Sequence, residues 1–594
     1  MIYRFATCQV NENNRTLSCG GRIAEIERRA YRLLVYLIRH RDRIVPKAEL
    51  VEILWEGNSV SESALPRCMN ALRSALSDPE KGDKDETIIE TVYGVGYQFV
   101  AAIESSTIFE DVADSPKNSR TARQERITSL KAEIGQRRAI AHGVADLLLE
   151  LASAETKQGC FDDARVNLFR IVTIARANQD GPLLGRAAIA LANTYLAVHP
   201  NELLAELLLE AARSTDSSNS ALCLELRSEL QVARVPSTSL EDRSIEARKI
   251  LADSAAITDR ATRTRIRLRC QRAIDGPGTL EERREIIEES IMSADQIGET
   301  RLQIEACQAS LTASLAAGDL SRFESDLERM RVFTHAIDEN IWNARYGLSV
   351  SLLALMRGRF DLALHSRGEA LSWISRSPED FRLAQSATAF MIGRERPGLL
   401  SDALPIASLE SLRDPLTLVA VAVASATLGF IEPAKQLFSD LRSGDLDFSN
   451  HNFTWNFIVA LLSEVAYRLD DAEVARYAVS EIPESDAVMP SMNSYSCAEP
   501  MPYFLGLAHT TLKSWDAANR SFQEAAAICV AIDAPAFEAR VSYAWASMLM
   551  REGKREKIGF IRTKAKLANK IAHNLGMDRL QAESAVLLDQ ISED

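Results

Sequence analysis

Several features that mark common protein classes are missing from this chain of 594 residues. Its nine cysteines are scattered singly, with no C-x-x-C pair and no histidine cluster at ligand spacing. This pattern argues against a zinc site and favours reduced thiols over a disulfide framework. The phosphate-binding, zinc-protease and serine-hydrolase motifs G-x-x-x-x-G-K-[ST], H-E-x-x-H and G-x-S-x-G do not occur either. We therefore expect no enzyme activity, no catalytic residues, no metal and no cofactor.

Long hydrophobic runs are also scarce. The longest lies at 416–431, is rich in Ala and Val, and is bounded by Pro415 and Pro433. It is shorter than the roughly 20 residues that a membrane-spanning helix needs, and we interpret it as a buried helix. The first residues do not follow a signal-peptide pattern. The sequence therefore predicts a soluble, cytoplasmic protein with no membrane partner.

Positive charge is scarce over most of the chain, whose formal net charge is -14. Residues 1–104 hold 14 Lys and Arg against 15 Asp and Glu, so this N-terminal segment is nearly neutral while the remainder is acidic. An acidic body would repel nucleic acid, which would confine any contact with DNA to the N-terminal segment.

The segment 60–100 carries the most informative pattern in the sequence. A short helix is predicted to begin near Ser63, with Leu65, Met69, Leu72 and Leu76 on one face, as core residues are. Ser63 is suited to cap this helix. The other face carries polar residues that suit base reading or phosphate binding, namely Arg67, Asn70, Arg73 and Ser74. An ordinary solvated helix face is the alternative interpretation of these four residues.

Two strand-like runs follow this helix, at 88–92 and 98–100, with Tyr93-Gly94-Val95-Gly96-Tyr97 between them. Glycines in this position allow a tight hairpin tip. A helix, a polar loop and a glycine-containing hairpin are the parts of a recognition helix and a wing.

These residues resemble the effector domain of OmpR/PhoB-type regulators, in the form found at the N-terminus of ToxR-like and CadC-like activators. The resemblance covers nearly all of residues 1–104 and is carried by Leu33-Leu34, Leu50, Trp55, Leu72-Arg73 and the run Thr91-Val92-x-Gly94-x-Gly96-Tyr97. It implies a winged helix that binds double-stranded promoter DNA.

The same resemblance implies roles for individual residues. Ser63, Arg67, Asn70 and Arg73 would face DNA, with Ser74 beside them and Tyr93 in the wing. Tyr93 stands where the family often has an arginine, so the sequence specificity cannot be transferred. The loop after the second helix would contact RNA polymerase through Trp55, Glu56 and Asn58.

The rest of the chain predicts helices almost throughout. Residues 105–126 are polar and predict a flexible linker, and residues 127–594 predict an all-α solenoid of tetratricopeptide-like repeats. Gly506, Ala518, Phe522 and Ala525 follow the small-residue and aromatic spacing of that repeat. The expected fold class is thus mainly α, with an N-terminal α+β winged helix-turn-helix domain.

Aromatic residues in the helical body offer a candidate ligand pocket, with Trp342, Tyr346, Trp373 and Trp455 as its lining. Packing between repeats is the alternative interpretation, because aromatics at helical spacing usually fill a core.

The sequence as a whole predicts a one-component transcription regulator that acts as an activator. The body would form a homo-oligomer, a dimer or larger, would sense a small-molecule or peptide ligand or a protein, or would do both. Two alternatives remain at this point: a protein-interaction scaffold that does not bind DNA, and an intracellular peptide or metabolite receptor that uses the concave face of the solenoid.

Overall fold

The chain forms two compact units, residues 1–111 and 112–594. The computed structural model describes all residues except 1, 6–7, 12–15, 20–21, 25, 27, 40–44, 56–63, 77–87, 93–95, 102, 106–116, 137–141, 196–201, 216–220, 236, 374–390, 395–414, 428–429, 437–453, 483–485, 554 and 594. Each unit is a separate body with its own core.

The first unit contains a five-stranded antiparallel sheet in the order β4-β3-β2-β1-β8. Its strands are β1 (Ile2–Phe5), β2 (Cys8–Asn11), β3 (Thr16–Cys19), β4 (Arg22–Ala24) and β8 (Ile103–Ser105). Strand β8 pairs with β1, so the end of this unit returns to its beginning.

The sheet brings two cysteines opposite each other. Cys8 of β2 pairs in register with Cys19 of β3, and Cys8 is disulfide-bonded. The expectation of reduced thiols is therefore wrong for Cys8, because strand register rather than a local motif placed a second cysteine across from it. Seven other cysteines are free thiols: Cys68, Cys160, Cys223, Cys270, Cys307, Cys497 and Cys529.

Three helices and a second sheet complete the first unit. The helices are α1 (Arg28–Arg39), α2 (Lys47–Trp55) and α3 (Ala64–Leu76), and the sheet has the order β5-β7-β6, with β5 (Val45–Pro46), β6 (Ile89–Val92) and β7 (Gly96–Phe99). Leu33, Leu34 and Leu37 of α1 are fully buried in a core that the sheets and all three helices share. This is the predicted winged-helix arrangement of two sheets around a three-helix core.

Gly96 has a different role from the predicted one. It lies in β7 opposite Pro46, and a Cβ atom at this position would stand 1.9 Å from the carbonyl oxygen of Val45. The glycine is required because two backbones approach closely in the sheet, and not by a hairpin tip.

The second unit is a succession of antiparallel helices. They are α4 (Lys117–Gln136), α5 (His142–Gln158), α6 (Phe161–Asn178), α7 (Gly181–Ala192), α8 (Glu202–Ser214), α9 (Ala221–Ala233), α10 (Leu240–Ser254), α11 (Arg260–Ala273), α12 (Leu280–Ile297), α13 (Thr300–Ala316), α14 (Leu320–Ile337), α15 (Asn340–Met356), α16 (Phe360–Ser372), α17 (Pro415–Thr427), α18 (Trp455–Leu469), α19 (Ala472–Glu481), α20 (Met501–Thr511), α21 (Trp515–Ala531), α22 (Pro535–Glu552), α23 (Ile558–Leu575) and α24 (Asp578–Glu593). A two-stranded hairpin, β9 (Ser491–Asn493) and β10 (Ser496–Cys497), precedes α20. Among the described helices, none has both the length and the apolar character needed to cross a membrane.

Local sequence signals set the ends of many of these helices. Asp180, Asp259, Asp319 and Asp471 accept hydrogen bonds from backbone N–H groups in the first turns of the helices that they precede. These caps satisfy donors that have no partner inside the helix.

The predicted linker is too long. Helix α4 begins at Lys117, inside the predicted range 105–126, and Ile127 and Leu130 are buried in the core of the second unit. The polar composition misled the prediction because Ala122, Gln124, Glu125 and Arg126 are exposed, while the helix packs through its later turns.

The predicted repeat spacing is confirmed where it falls on described residues. A Cβ atom at Gly506 of α20 would lie 2.9 Å from ring atoms of Phe522 in α21, and Ala518, Phe522 and Ala525 are fully buried. The small residue therefore lets the aromatic ring fill the gap between paired helices.

The array of helices also closes on itself. Helix α15 contacts α5, ten helices earlier, and the Asn340 side chain donates to the carbonyl of Gln158 at 2.6 Å. Arg123 of α4 donates to the carbonyl of Asp338 and pairs with its carboxylate at 3.4 Å. Contact between distant repeats departs from an open solenoid, in which a repeat touches only its neighbours.

Candidate nucleic-acid interface

Helix α3 separates its residues cleanly into two faces. Leu65, Met69, Leu72 and Leu76 are at most 5% exposed, which confirms the predicted apolar stripe. The opposite face carries exposed Pro66, Arg67, Asn70, Ala71 and Ser74. The fold therefore fixes the helix through its apolar stripe and leaves three of the predicted contact residues, Arg67, Asn70 and Ser74, at the surface.

Arg73 lies at the side of α3 and is half-buried. Its Nη2 atom donates to the carbonyl oxygen of Ile89 at 3.0 Å and to Oγ1 of Thr91 at 2.7 Å, both in β6. The guanidinium thus joins the helix to the first strand of the hairpin. Sequence reasoning assigned Arg73 to phosphate and gave no role to Thr91, because no local pattern links a helix residue to a strand 16–18 positions later.

Two further contacts hold the helices in place. The Tyr36 hydroxyl of α1 donates to Glu49 of α2 at 2.6 Å, and the Cys8 sulfur contacts the carbonyl oxygen of Leu76 at 3.5 Å. The last turn of α3 therefore rests on the strand that carries the disulfide-bonded cysteine. Neither contact was predicted.

Several predicted site residues cannot be placed. Ser63, Tyr93, Glu56 and Asn58 lie outside the described residues, and Trp55 is described only as the last residue of α2. Their predicted roles as helix cap, wing residue and polymerase contact remain predictions.

Comparison with known proteins identifies the type of this domain. Residues 21–99 match the family described as "Transcriptional regulatory protein, C terminal". The N-terminal unit is an OmpR/PhoB-type winged helix. The matched range runs from β4 to β7 and contains α1, α2 and α3, so it includes both the buried stripe and the exposed face of α3.

Two curated relatives share this region of the chain. The transcriptional regulator HilA of Salmonella typhi is 42% identical over 69 residues, which are 12% of this chain and 12% of HilA. The phosphate regulon transcriptional regulatory protein PhoB of Pseudomonas aeruginosa is 34% identical over 84 residues, 14% of this chain and 34% of PhoB. The match thus spans about an eighth of HilA and a third of PhoB.

One solved structure is also similar to part of the chain. It is the Klebsiella pneumoniae RstA DNA-binding domain in complex with the RstA box, at 20% identity and a TM-score of 0.15, covering 17% of this chain and 96% of that one.

The predicted pocket residues of the helical body are all buried. Trp342 and Tyr346 lie one turn apart on α15 and are 4% and 7% exposed, and Trp373, at the end of α16, is 9% exposed. The carbonyl of Trp373 accepts a hydrogen bond from Asn340 at 2.9 Å, which joins α16 to the start of α15. Trp455 begins α18, which packs against α17, α19, α20 and β9. Trp342, Tyr346 and Trp373 therefore lie on or against α15, whereas Trp455 belongs to another group of helices.

An ion-pair ladder that runs along α9, α11 and α13 to Glu339, the residue before α15, was not predicted. Its pairs are Glu225–Arg265, Glu229–Arg269, Arg269–Glu305, Arg301–Glu305 and Arg301–Glu339, with N–O distances of 2.6–3.2 Å. Most partners are 36–40 residues apart, which is the length of one helical repeat. Opposite charges recurring at that spacing are the sequence signal that would have revealed the ladder.

Proposed function

We propose that this protein is a one-component transcription regulator that binds double-stranded promoter DNA through helix α3. The observation that carries the proposal is the two-sided character of α3 within a domain of the OmpR/PhoB type. Its apolar stripe is buried in the core, and its exposed face carries an arginine and an asparagine, the side chains best suited to read guanine and adenine edges in the major groove.

In this proposal the residues of α3 divide their roles. Arg67 and Asn70 read bases, and Ser74 contacts the backbone or a base edge beside them. Arg73 holds α3 against β6 and so acts as a positioning residue, because its Nη2 atom is engaged within the domain. Ser63 and Tyr93 extend the contact at the start of the helix and at the wing.

Activation would use a second surface. The loop that begins at Trp55 would contact RNA polymerase through Glu56 and Asn58, as the family resemblance implies. The helical body would bring winged helices together in a homo-oligomer, and paired domains on repeated half-sites gain affinity through effective concentration.

The test is DNA capture from the genome with purified full-length protein, followed by measured affinity for the recovered site. Replacing Arg67 and Asn70 together by Ala should lower affinity for that site by about 30-fold or more, since each good base contact contributes about 1–3 kcal/mol. Binding to unrelated DNA should change much less, because phosphate contacts supply it.

A matched control removes a charge from another exposed helix. Arg284→Ala on α12 changes the net charge as Arg67→Ala does and should leave DNA affinity unchanged. If the wild-type protein recovers one DNA motif that the double variant binds with the same affinity, α3 does not read the DNA sequence. If no motif is recovered and binding is insensitive to salt, the protein-scaffold interpretation replaces DNA binding.

A further inference from the structure

Helix α23 is a basic helix in an acidic chain. Its 18 residues include four cations, Arg562, Lys564, Lys566 and Lys570, and no aspartate or glutamate. The chain as a whole has a formal net charge of -14. The positive charge of α23 is therefore a local departure from the composition around it.

Packing places most of this charge on one side of the helix. Arg562, Lys566 and Lys570 follow one another at i, i+4 and i+8, and all three are exposed. With a rise of about 1.5 Å per residue, they form a row roughly 12 Å long. The opposite side of α23 is buried against α22 and α24 through small and apolar residues: Ile561, Ala565, Ala568 and Ala572.

The two lysines of this row have no counter-charge. Neither Lys566 nor Lys570 forms an ion pair through its side chain with any residue that the structure describes. Arg562 is only weakly engaged, since its Nη2 atom donates to the carbonyl oxygen of Ile591 at 3.4 Å. Lys564 differs from these three residues, because its ammonium group lies over an aromatic ring, that of Trp545, 4.3 Å from the centroid.

Exposed cations in other parts of the second unit join neighbouring helices. Arg126, Arg176 and Arg248 each pair with a glutamate of another helix, at N–O distances of 2.5–2.8 Å. Helix α24 packs against α23 and offers exposed carboxylates, Asp578 and Asp589, yet neither pairs with the lysines of the row. The row therefore has no role in holding the described helices together.

The chemistry of this face fits phosphate better than protein. Lysine is depleted at protein–protein interfaces, whereas phosphate oxygens accept hydrogen bonds from lysine, arginine, threonine and asparagine. The exposed face of α23 also carries Thr563 and Asn574. Each strand of duplex DNA has one phosphate per roughly 3.4 Å of helix axis, so a row of about 12 Å spans three or four phosphates.

The acidic net charge of the chain does not prevent such a contact. Exposed charges that lie beyond about 10 Å are largely screened at 0.1 M salt. A phosphate next to Lys566 and Lys570 therefore interacts mainly with the local row of cations, and much less with acidic residues elsewhere in the chain.

We propose that the exposed face of α23, with Lys566 and Lys570 at its centre and Arg562 beside them, is a second DNA-binding surface that contacts phosphates without reading bases. This surface rests on the proposed DNA-binding function. It differs from the expectation that the acidic body confines DNA to the N-terminal segment. The face of α23 would add affinity for duplex DNA of any sequence, while α3 supplies the preference for one site.

The test measures how tightly the full-length protein binds a long, unrelated DNA duplex over a series of salt concentrations. Replacing Lys566 and Lys570 together by Gln removes two charges and keeps side chains of good helix propensity. Affinity should fall about 10-fold or more at low salt. The slope of log affinity against log salt should become shallower by about 1.8, the value for two lost phosphate contacts. The preference for the recovered site over unrelated DNA should not change.

The matched control makes the same change of charge on other helices. Lys249→Gln combined with Arg213→Gln removes two exposed cations, from α10 and α8, and should leave both the affinity and the salt slope as in the wild type. Both double variants should melt within about 2 °C of the wild type, because exposed side chains contribute little to stability.

Two results would overturn the second DNA-binding surface. An unchanged salt slope in the Lys566 and Lys570 variant would show that no phosphate contact was lost. Unchanged DNA affinity together with lost binding to polyglutamate would assign the face of α23 to an acidic protein surface.

Failure of the proposed function gives a different pattern. In that case Arg67→Ala with Asn70→Ala would bind the recovered site as tightly as the wild type does. The Lys566 and Lys570 variant would still lose affinity for unrelated DNA, and the surface on α23 would stand without a reading helix at α3.

Discussion

Replacing Arg73 by Met distinguishes a positioning role from a phosphate contact. Methionine keeps the apolar stem of the side chain and removes the two bonds that Nη2 makes to Ile89 and Thr91 of β6. Bonds from a charged donor contribute about 1.5–3 kcal/mol each when buried, and roughly half of that at a half-buried site. The attachment of α3 to the hairpin should therefore weaken by about 2 kcal/mol.

The assay is hydrogen exchange of the full-length protein, followed in peptides that cover 64–76 and 89–92. A loss of about 2 kcal/mol should speed exchange there about 30-fold, while peptides of the second unit keep their rates. Affinity for the recovered DNA site should change by less than about 3-fold. The slope of log affinity against log salt should not change, because no phosphate contact is lost.

Arg67→Ala is the matched control on the same helix. Its side chain points outward, so exchange should stay within about 3-fold of wild type while the DNA sequence preference relaxes. The reasoning is refuted if Arg73→Met leaves exchange unchanged and reduces the salt slope by about 0.9, the value expected for one lost phosphate contact.

Two other perturbations test the cores of the two units. Gly96→Ala should destabilise the winged helix by about 2–4 kcal/mol, because its Cβ would collide with the carbonyl of Val45. Denaturant unfolding measures this loss of stability. The control is Gly559→Ala, whose Cβ meets no atom within 4 Å and which should leave the free energy of unfolding unchanged. Unchanged unfolding of the Gly96 variant would show that the sheet adjusts freely. In the second unit, burial alone would raise the pKa of Glu464, but Arg394, Arg468 and Arg540 lower it to about 2. Stability should therefore be complete above about pH 5 and fall as the pH drops towards 2, and Glu464→Gln should flatten this dependence and cost about 3 kcal/mol at pH 7. A wild-type profile that is flat from pH 5 to 3 would contradict the assignment.

Periodicity predicted the parts of this fold that depend on local sequence. The spacing of Leu65, Met69, Leu72 and Leu76 was enough to orient α3, since residues four apart on a helix share a face. The spacing of Gly506 and Phe522 was enough to pair α20 with α21. In both cases the residues that decide the structure lie within one element or in adjacent elements.

Side-chain partners across the fold were beyond such reasoning. Arg73 has the same local pattern as Arg67, and only the position of β6 turns it into an internal hydrogen-bond donor. Gly96 was assigned to a turn because the sequence does not show that Val45 packs against it. Trp342 was identified as an aromatic that could line a pocket, whereas its ring is buried and covered by the guanidinium of Arg345, 4.7 Å from the ring centroid.

The contact between α15 and α5 constrains the number of helices that can lie between them in the sequence. Open repeat proteins gain and lose whole repeats in evolution because a new pair of helices only lengthens the array. Here an added or deleted pair would carry Asn340 away from Gln158 and Asp338 away from Arg123. The number of repeats between α5 and α15 should therefore vary little among homologues, and insertions and deletions should occur in other segments.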